Sequence, residues 1–186
     1  MNKQELIIEL ERLNIGLKRF TVSHEKYNDS WAEAFRLVLE FIKPCIKDCE
    51  VIHIGSTAIP GSIAKPILDI VITFEHSSGF ISETKCLERL GFTSKGAYGV
   101  KGREFFTFYN RELTYDYIHI HAFPDSHPKK IAHIEFLNAH LANSSLVEEY
   151  NALKQGLVKQ GISREDYPEA KTSYVEKVLS GITRSK

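Results

Sequence analysis

Two short stretches hold most of the side chains able to do chemistry. Gly55-Ser56-Thr57-Ala58-Ile59-Pro60-Gly61 offers two hydroxyls and several backbone N–H groups beside glycines that allow close approach, which is what a phosphate-holding turn needs. The G-x-x-x-x-G-K-[ST] order of a P-loop is absent, and the same residues also describe an ordinary tight turn. Asp69 follows inside an apolar run, where an ionised carboxylate is costly unless a cation, a metal or several donors satisfy it. Its alternative role is to cap backbone amides of the preceding loop. Further on, in Tyr115–His121, strand alternation places Tyr117, His119 and His121 on one face and Asp116, Ile118 and Ile120 on the other. A histidine pair so spaced can bind a divalent ion or contact phosphate, or it can be two hydrogen-bonded histidines on a half-exposed strand.

Four cations are candidates to face an anion at these groups. Lys65, just before Pro66, sits at the rim of the glycine-rich turn, or is a solvated loop lysine. Arg103 can clamp two phosphate oxygens at once, or form a surface salt bridge. Lys154 shares a helix face with Tyr150 at i,i+4, and Lys171 pairs with Tyr174 at i,i+3, so both lysines could close over a ligand or simply be solvated beside packing aromatics. His24, His53, His76, His127, His133 and His140 show no metal-site spacing, although His53 could border the pocket.

The elements that must position these groups follow from periodicity. Leu6, Ile7, Leu10 and Leu13 before Gly16 make residues 2–14 a short amphipathic helix. A second helix starts at Asp29 or Ser30 as cap, ends before Pro44, and buries Trp31, Phe35, Val38 and Phe41 or Ile42. Residues 51–55 read as a strand, 55–66 as a loop, and the β-branched run Ile67–Phe74 as a central strand covered on both faces, with Asp69, Val71 and Thr73 on one side. A helix over 78–90 stops at Gly91, and strands near 104–110 and 114–123 are joined around Asn110-Arg111-Glu112. Helices alone complete the chain, at 129–142, 145–160 and about 168–181. That order predicts an α+β fold: a sheet-containing core over 20–127, a helical extension over 1–19 and a helical segment over 128–186, within one domain.

Whole-chain quantities narrow the partners. Lys plus Arg equals Asp plus Glu at 24 each, so no excess charge draws in an extended nucleic acid, and small substrates are favoured. Cys45, Cys49 and Cys86 form no even disulfide set, no C-x-x-C pair and no zinc spacing, which predicts reduced cysteines. Charges interrupt the N-terminal apolar positions as a signal peptide would not allow, and no run is long enough to span a membrane; the expected location is the cytoplasm.

HIGSTAIPGSIAKPILDIVI resembles the GrpB-family signature, in which G-S-T-A-[VI]-P-G precedes K-P-[IL]-[IL]-D-[IL] at this spacing. Further likeness runs through Trp31, GREFFTFYNR, YIHIHAF, FLNAHL, YNALK and YPEAKTSYVEKVL, covering about residues 20–182. The resemblance implies a nucleotidyltransferase-like mixed β-sheet core with flanking helices. It further implies metal-dependent transfer of a nucleotidyl group from a nucleoside triphosphate to a small acceptor, with Mg²⁺ or Mn²⁺ as cofactor. Gly55, Ser56 and Thr57 with Lys65, Arg103, Lys154 and Lys171 would hold the nucleotide; Asp69 and Ser56 would be catalytic; Asp69, His119 and His121 would hold the metal. Such sites carry a second acid two residues after the first, and Val71 stands there. The alternatives are therefore a non-catalytic module binding nucleotides or coenzyme A precursors, since GrpB-like domains also occur joined to dephospho-coenzyme A kinases, and a His-Asp metal site acting on other phosphoryl or hydrolysable substrates.

Overall fold

The structure, a computed structural model, describes residues 1–47, 49–75 and 80–184. In chain order the elements are α1 (Lys3–Arg12), β1 (Leu17–Lys18), β2 (Glu25–Lys26), α2 (Ser30–Ile42), β3 (Glu50–Ile54), β4 (Ile63–Ala64) and β5 (Leu68–Phe74). They continue with α3 (Ile81–Arg89), β6 (Thr93–Ser94), β7 (Glu104–Tyr109), β8 (Tyr115–Pro124), α4 (Pro128–Ala142), α5 (Ser144–Lys159) and α6 (Thr172–Arg184). The expected α+β order is observed. The start of the helix expected over 78–90, and His76, lie outside the described residues.

Local chemistry sets the helix ends. Asn2 and Glu5 close a reciprocal capping box at α1. At α2 the expected cap is corrected: Asp29 makes no side-chain capping bond, and Asn28 Oδ1 instead accepts from the Ser30 N–H. The buried stripe of α2 is Trp31, Ala34, Val38, Phe41 and Ile42. Phe35, half-buried, packs against the edge of that core and stacks on His53, ring centres 4.9 Å apart. Pro44 ends the helix in a 3-10 turn over Lys43–Cys45.

One mixed sheet organises the molecule, in the order β3-β5-β8-β7-β6, with β1 paired to the start of β8. β5 runs antiparallel to β3 and parallel to β8, so the apolar strand is interior as its composition predicts. Leu68, Ile70, Ile72 and Phe74 join Phe106, Phe108, Ile118 and Ile120 in the main core, beneath the buried faces of α1, α2 and α3. Leu6, Ile7 and Leu10 of α1 belong to that core, so the N-terminal helix is part of the fold's packing. On the other face Val71 packs with Ile54, Ile59, Phe123, Leu137 and Val147 under α4 and α5. Among the described residues no helix is long and apolar enough to cross a membrane.

Two expectations are overturned here. Strand alternation fails at the start of β8: Phe108 pairs with Ile118 but Tyr109 pairs with Asp116, so Tyr117 is an extra residue in a β-bulge. The bulge drops Tyr117 into the helix-covered core, where its hydroxyl donates to Glu11 at 2.6 Å, and brings Asp116 round to the face of His119. Gly16 leaves room for that ring, since a Cβ there would stand 2.9 Å from Tyr117 Cε1. The cysteines are the second correction. Cys45 and Cys86, 5.3 Å apart at Cα, form a disulfide that ties α3 to the turn after α2, and Cys49 lies outside it. Counting cysteines could not reveal a pair made close only by packing. Reduction is expected to lower stability by about 2–4 kcal/mol, as for closing a loop of this kind, and urea unfolding with and without dithiothreitol measures it.

Candidate functional site

Above the part of the sheet that α4 and α5 leave uncovered lies a cleft of about 1090 Å³. Strand register lays out its floor. Asp69 on β5 stands opposite His119 on β8, which stands opposite Thr107 on β7. In the next row Val71 faces His121, and His121 faces Phe105. On the other side of the central row Asp116 faces Tyr109. The wall is built from α5 and the segment Ile162–Lys171.

Asp69 and the histidine pair come together as expected. Asp69 Oδ1 lies 3.3 Å from His119 Nδ1 and 3.9 Å from His121 Nε2. Burial by itself would raise the carboxyl; the close approach of His119 first, and of His121 second, outweighs that and holds it below the usual range. His121 is pushed the other way, lowered mainly by burial. His133, which sequence spacing does not single out, packs its ring 5.1 Å from His121 and is lowered to about 3 by burial first and the charge of His121 second.

The glycine-rich turn starts where β3 ends, because Ile54 pairs with Asp69 and Gly55 follows. Gly55 has φ 71 and ψ −172, and a Cβ there would sit 2.8 Å from Asp69 Oδ2. Ser56–Ala58 form a 3-10 turn. Lys154, 1% exposed, reaches from α5 to this turn and donates to Ser56 Oγ at 3.2 Å, to Ser62 Oγ at 2.7 Å and to the Ile63 carbonyl. Asn151, one turn earlier, accepts from the Ile63 N–H and donates to the Gly61 carbonyl, fixing the helix to the loop. Thr57 is spent inside the loop, its hydroxyl bonded to His53 Nε2 at 2.9 Å and to the Ile67 carbonyl.

Lys65 and Lys171 meet at Tyr167, their ammonium groups 3.8 and 4.4 Å from its ring centre, and the Tyr167 hydroxyl bonds His24 Nε2 at 2.7 Å. Burial first, then the charges of Lys171 and Arg164, lower Lys65 to about 7. Lys154 falls to about 7 through burial and then Lys171. The same three lysines, after burial, lower His24 to about 4. Arg103 stands apart from this cluster: it donates to the Ala97 and Tyr98 carbonyls and lies 3.4 Å from His121 Nδ1. Its place is beside the histidines, away from Ser56.

Sequence reading missed Asp116, Arg164 and Tyr167. Asp116, 4% exposed, pairs with Arg164 and lies 3.8 Å from Arg19 Nε, so it binds the 162–171 wall and the N-terminal segment to β8. The bulge that exposes it to the cleft leaves no mark in the alternation pattern.

The GrpB protein family matches residues 21–180. The chain belongs to that family. UPF0157 protein YqkA of Bacillus subtilis is 30% identical over 81% of this chain, and the chain spans only 42% of that relative's length. UPF0157 protein BH1888 of Halalkalibacterium halodurans is 25% identical over 92% of this chain and 89% of its own. The crystal structure of the conserved protein GrpB from Enterococcus faecalis superposes with TM-score 0.76 at 24% identity, covering 88% of this chain and 98% of that one. The fold is thus that of a GrpB structure, with Asp69 and the Gly55-Ser56 turn inside the matched region.

As a metal site the floor fits only in part. Among the described residues no group of three His, Cys, Asp or Glu side chains is arranged to hold an ion. Asp69, His119 and His121 do converge, and one carboxylate with two imidazoles suits Mn²⁺ better than the oxygen-rich shell that Mg²⁺ prefers.

Proposed function

We propose that this cleft binds a nucleoside triphosphate and transfers its nucleotidyl group to a small acceptor. The observation that carries the reading is the meeting of the Ser56 turn, the buried Lys154 ammonium and the Asp69–His119 pair in one cleft. Ser56 and the turn's backbone N–H groups hold phosphate oxygens, while Lys154, Lys65 and Lys171 neutralise their charge. Arg103 backs the histidines from the far side. With the Nδ1 proton of His119 directed at Asp69, its Nε2 is free to take the proton of an acceptor hydroxyl as that oxygen attacks phosphorus. With a divalent ion bound, Asp69, His119 and His121 would hold it and its charge would offset that on the leaving pyrophosphate, His119 then serving as a ligand in place of the base.

The test is pyrophosphate release from the four nucleoside triphosphates with Mn²⁺ or Mg²⁺ across a panel of small hydroxyl acceptors. Absence of release in every combination defeats the catalytic reading. A second reading is favoured by Val71, fully buried in apolar packing where a second acid would be needed: a nucleotide- or coenzyme A-precursor-binding module without turnover. It predicts stabilisation by ligand alone, about 2.7 kcal/mol at a hundred times the dissociation constant.

Either reading makes phosphate affinity depend on pH. Lys65 and Lys154 lose their protons near 7 in the free protein, and a bound triphosphate requires them charged. Affinity is therefore expected to fall between pH 6.5 and 8.5, by up to roughly tenfold per pH unit for each lysine that must take up a proton. Stability of the free protein moves oppositely. An unfolded lysine titrates at 10.5, so between 7 and 10.5 the unfolded chain binds more protons and the stability contribution rises with pH. Calorimetric titration with tripolyphosphate at three pH values checks the first; melting temperature against pH checks the second.

A further inference from the structure

The mouth of the cleft beyond the histidines carries a side chain that packing does not explain. Tyr98 is 68% exposed and has φ 41, a left-handed backbone that is unfavourable for a non-glycine residue. The conformation is held. Arg103 donates to the Ala97 and Tyr98 carbonyls, Val100 N–H bonds Ala97, and Phe105 N–H bonds Gly96. Glycines already stand at 96, 99 and 102 in this turn, all with positive φ, so the turn itself calls for no tyrosine.

What the strain achieves is an orientation. The Tyr98 ring lies nearly parallel to Phe105, with centres 5.2 Å apart and planes 18° from each other. The Arg103 guanidinium sits 4.9 Å from the Phe105 ring centre. Phe105 in turn meets His121 at 4.9 Å and His119 at 5.5 Å. An exposed aromatic ring is thus anchored through Phe105 to the reacting groups, at the end of the cleft opposite Lys154.

We propose that Tyr98, backed by Phe105, is a stacking platform for a planar heteroaromatic ring of the nucleobase type, belonging to the nucleotide or to the acceptor. A flat π-face binds a base by stacking on its ring, so it recognises the class of ring and tolerates its identity. The nearby Arg103 suits a ring that carries phosphate. The proposal deepens the nucleotide reading and rests on it for the position of the phosphates.

The test compares adenosine, ATP and inorganic tripolyphosphate by titration calorimetry on wild type, Tyr98→Phe and Tyr98→Gly. Tyr98→Gly removes the ring and relieves the backbone, so its melting temperature is expected to stay level or rise while adenosine and ATP each weaken about tenfold. Tyr98→Phe is expected to keep wild-type affinity for both, and tripolyphosphate to bind all three proteins alike. Adenosine that displaces ATP assigns the ring to the nucleotide; adenosine that binds the ATP-loaded protein assigns it to the acceptor. Equal adenosine affinity in wild type and Tyr98→Gly overturns the proposal, as does failure of wild type to bind adenosine. Tripolyphosphate that fails to bind, beside adenosine binding that depends on Tyr98, brings down the phosphate reading and leaves the platform standing.

Discussion

Asp69→Asn is expected to cut pyrophosphate release by roughly 10³–10⁴-fold while leaving the protein folded. The substitution keeps the shape of the side chain and replaces the acceptor that faces His119 Nδ1 at 3.3 Å. An amide offers one acceptor oxygen and one donor nitrogen, and it has no charge to hold the imidazole with its proton on Nδ1. Loss of an acid that orients a histidine tautomer has a penalty of this size when the histidine must act as base. Among the described residues Asp69 is the carboxylate beside the histidines on the cleft floor, because Val71 is apolar and Asp116, on the same floor, is committed to Arg164 and Arg19. Steady-state pyrophosphate release, read beside the circular dichroism melting curve, is the measurement. A variant that keeps more than a tenth of wild-type turnover shows that Asp69 does not orient the reacting groups.

Gly55→Ala is expected to harm both the fold and the site. With φ 71 and ψ −172 the residue occupies a region that only glycine visits freely, and forcing a side chain there costs about 1–3 kcal/mol. The new methyl would also meet Asp69 Oδ2 at 2.8 Å and Asp69 Cβ at 3.1 Å, so the carboxylate must move away from His119 or the turn must open. Gly161→Ala provides the comparison: its φ of 70 is similar, but nothing lies within 4 Å of an added Cβ. Gly55→Ala is expected to lose about 2–4 kcal/mol and to fall with Asp69→Asn in turnover, whereas Gly161→Ala loses about 1 kcal/mol and keeps activity. Urea unfolding of both variants decides. Equal losses in the two would mean that backbone strain alone operates and that Asp69 has room to spare.

Much of the fold is legible in the chain because its signals are local. The run Ile67–Phe74 is too apolar and too β-branched to be anything but an interior strand, and it lies between β3 and β8. The three C-terminal helices are marked by periodicity and by breaks near Asn143 and Gly161, and α4, α5 and α6 follow them. The Tyr117 expectation failed because one inserted residue reverses every side chain before it in the strand, and a bulge is chosen by the partner strand. The reduced-cysteine expectation failed for a related reason: Cys45 and Cys86 are 41 residues apart, and only the docking of α3 makes them neighbours.

The sequence by itself determined the family, the order of elements, and the presence of a glycine-rich turn followed by one carboxylate in a central strand. These depend on residue types at short, fixed spacing, which backbone geometry converts directly into placement. Only the tertiary structure decided which cations serve the turn and which serve the histidines. Lys154, 98 residues from Ser56, donates to its hydroxyl, while Arg103, 18 residues from His121, turns to the Tyr98 loop. It also decided that Val71 is a packing residue and that Asp116 shares the cleft, because burial and register arise from strands and helices that meet across the chain. The candidate site is therefore written locally as HIGSTAIPGSIAKPILDIVI and completed by long-range contacts, whose direction no local pattern encodes.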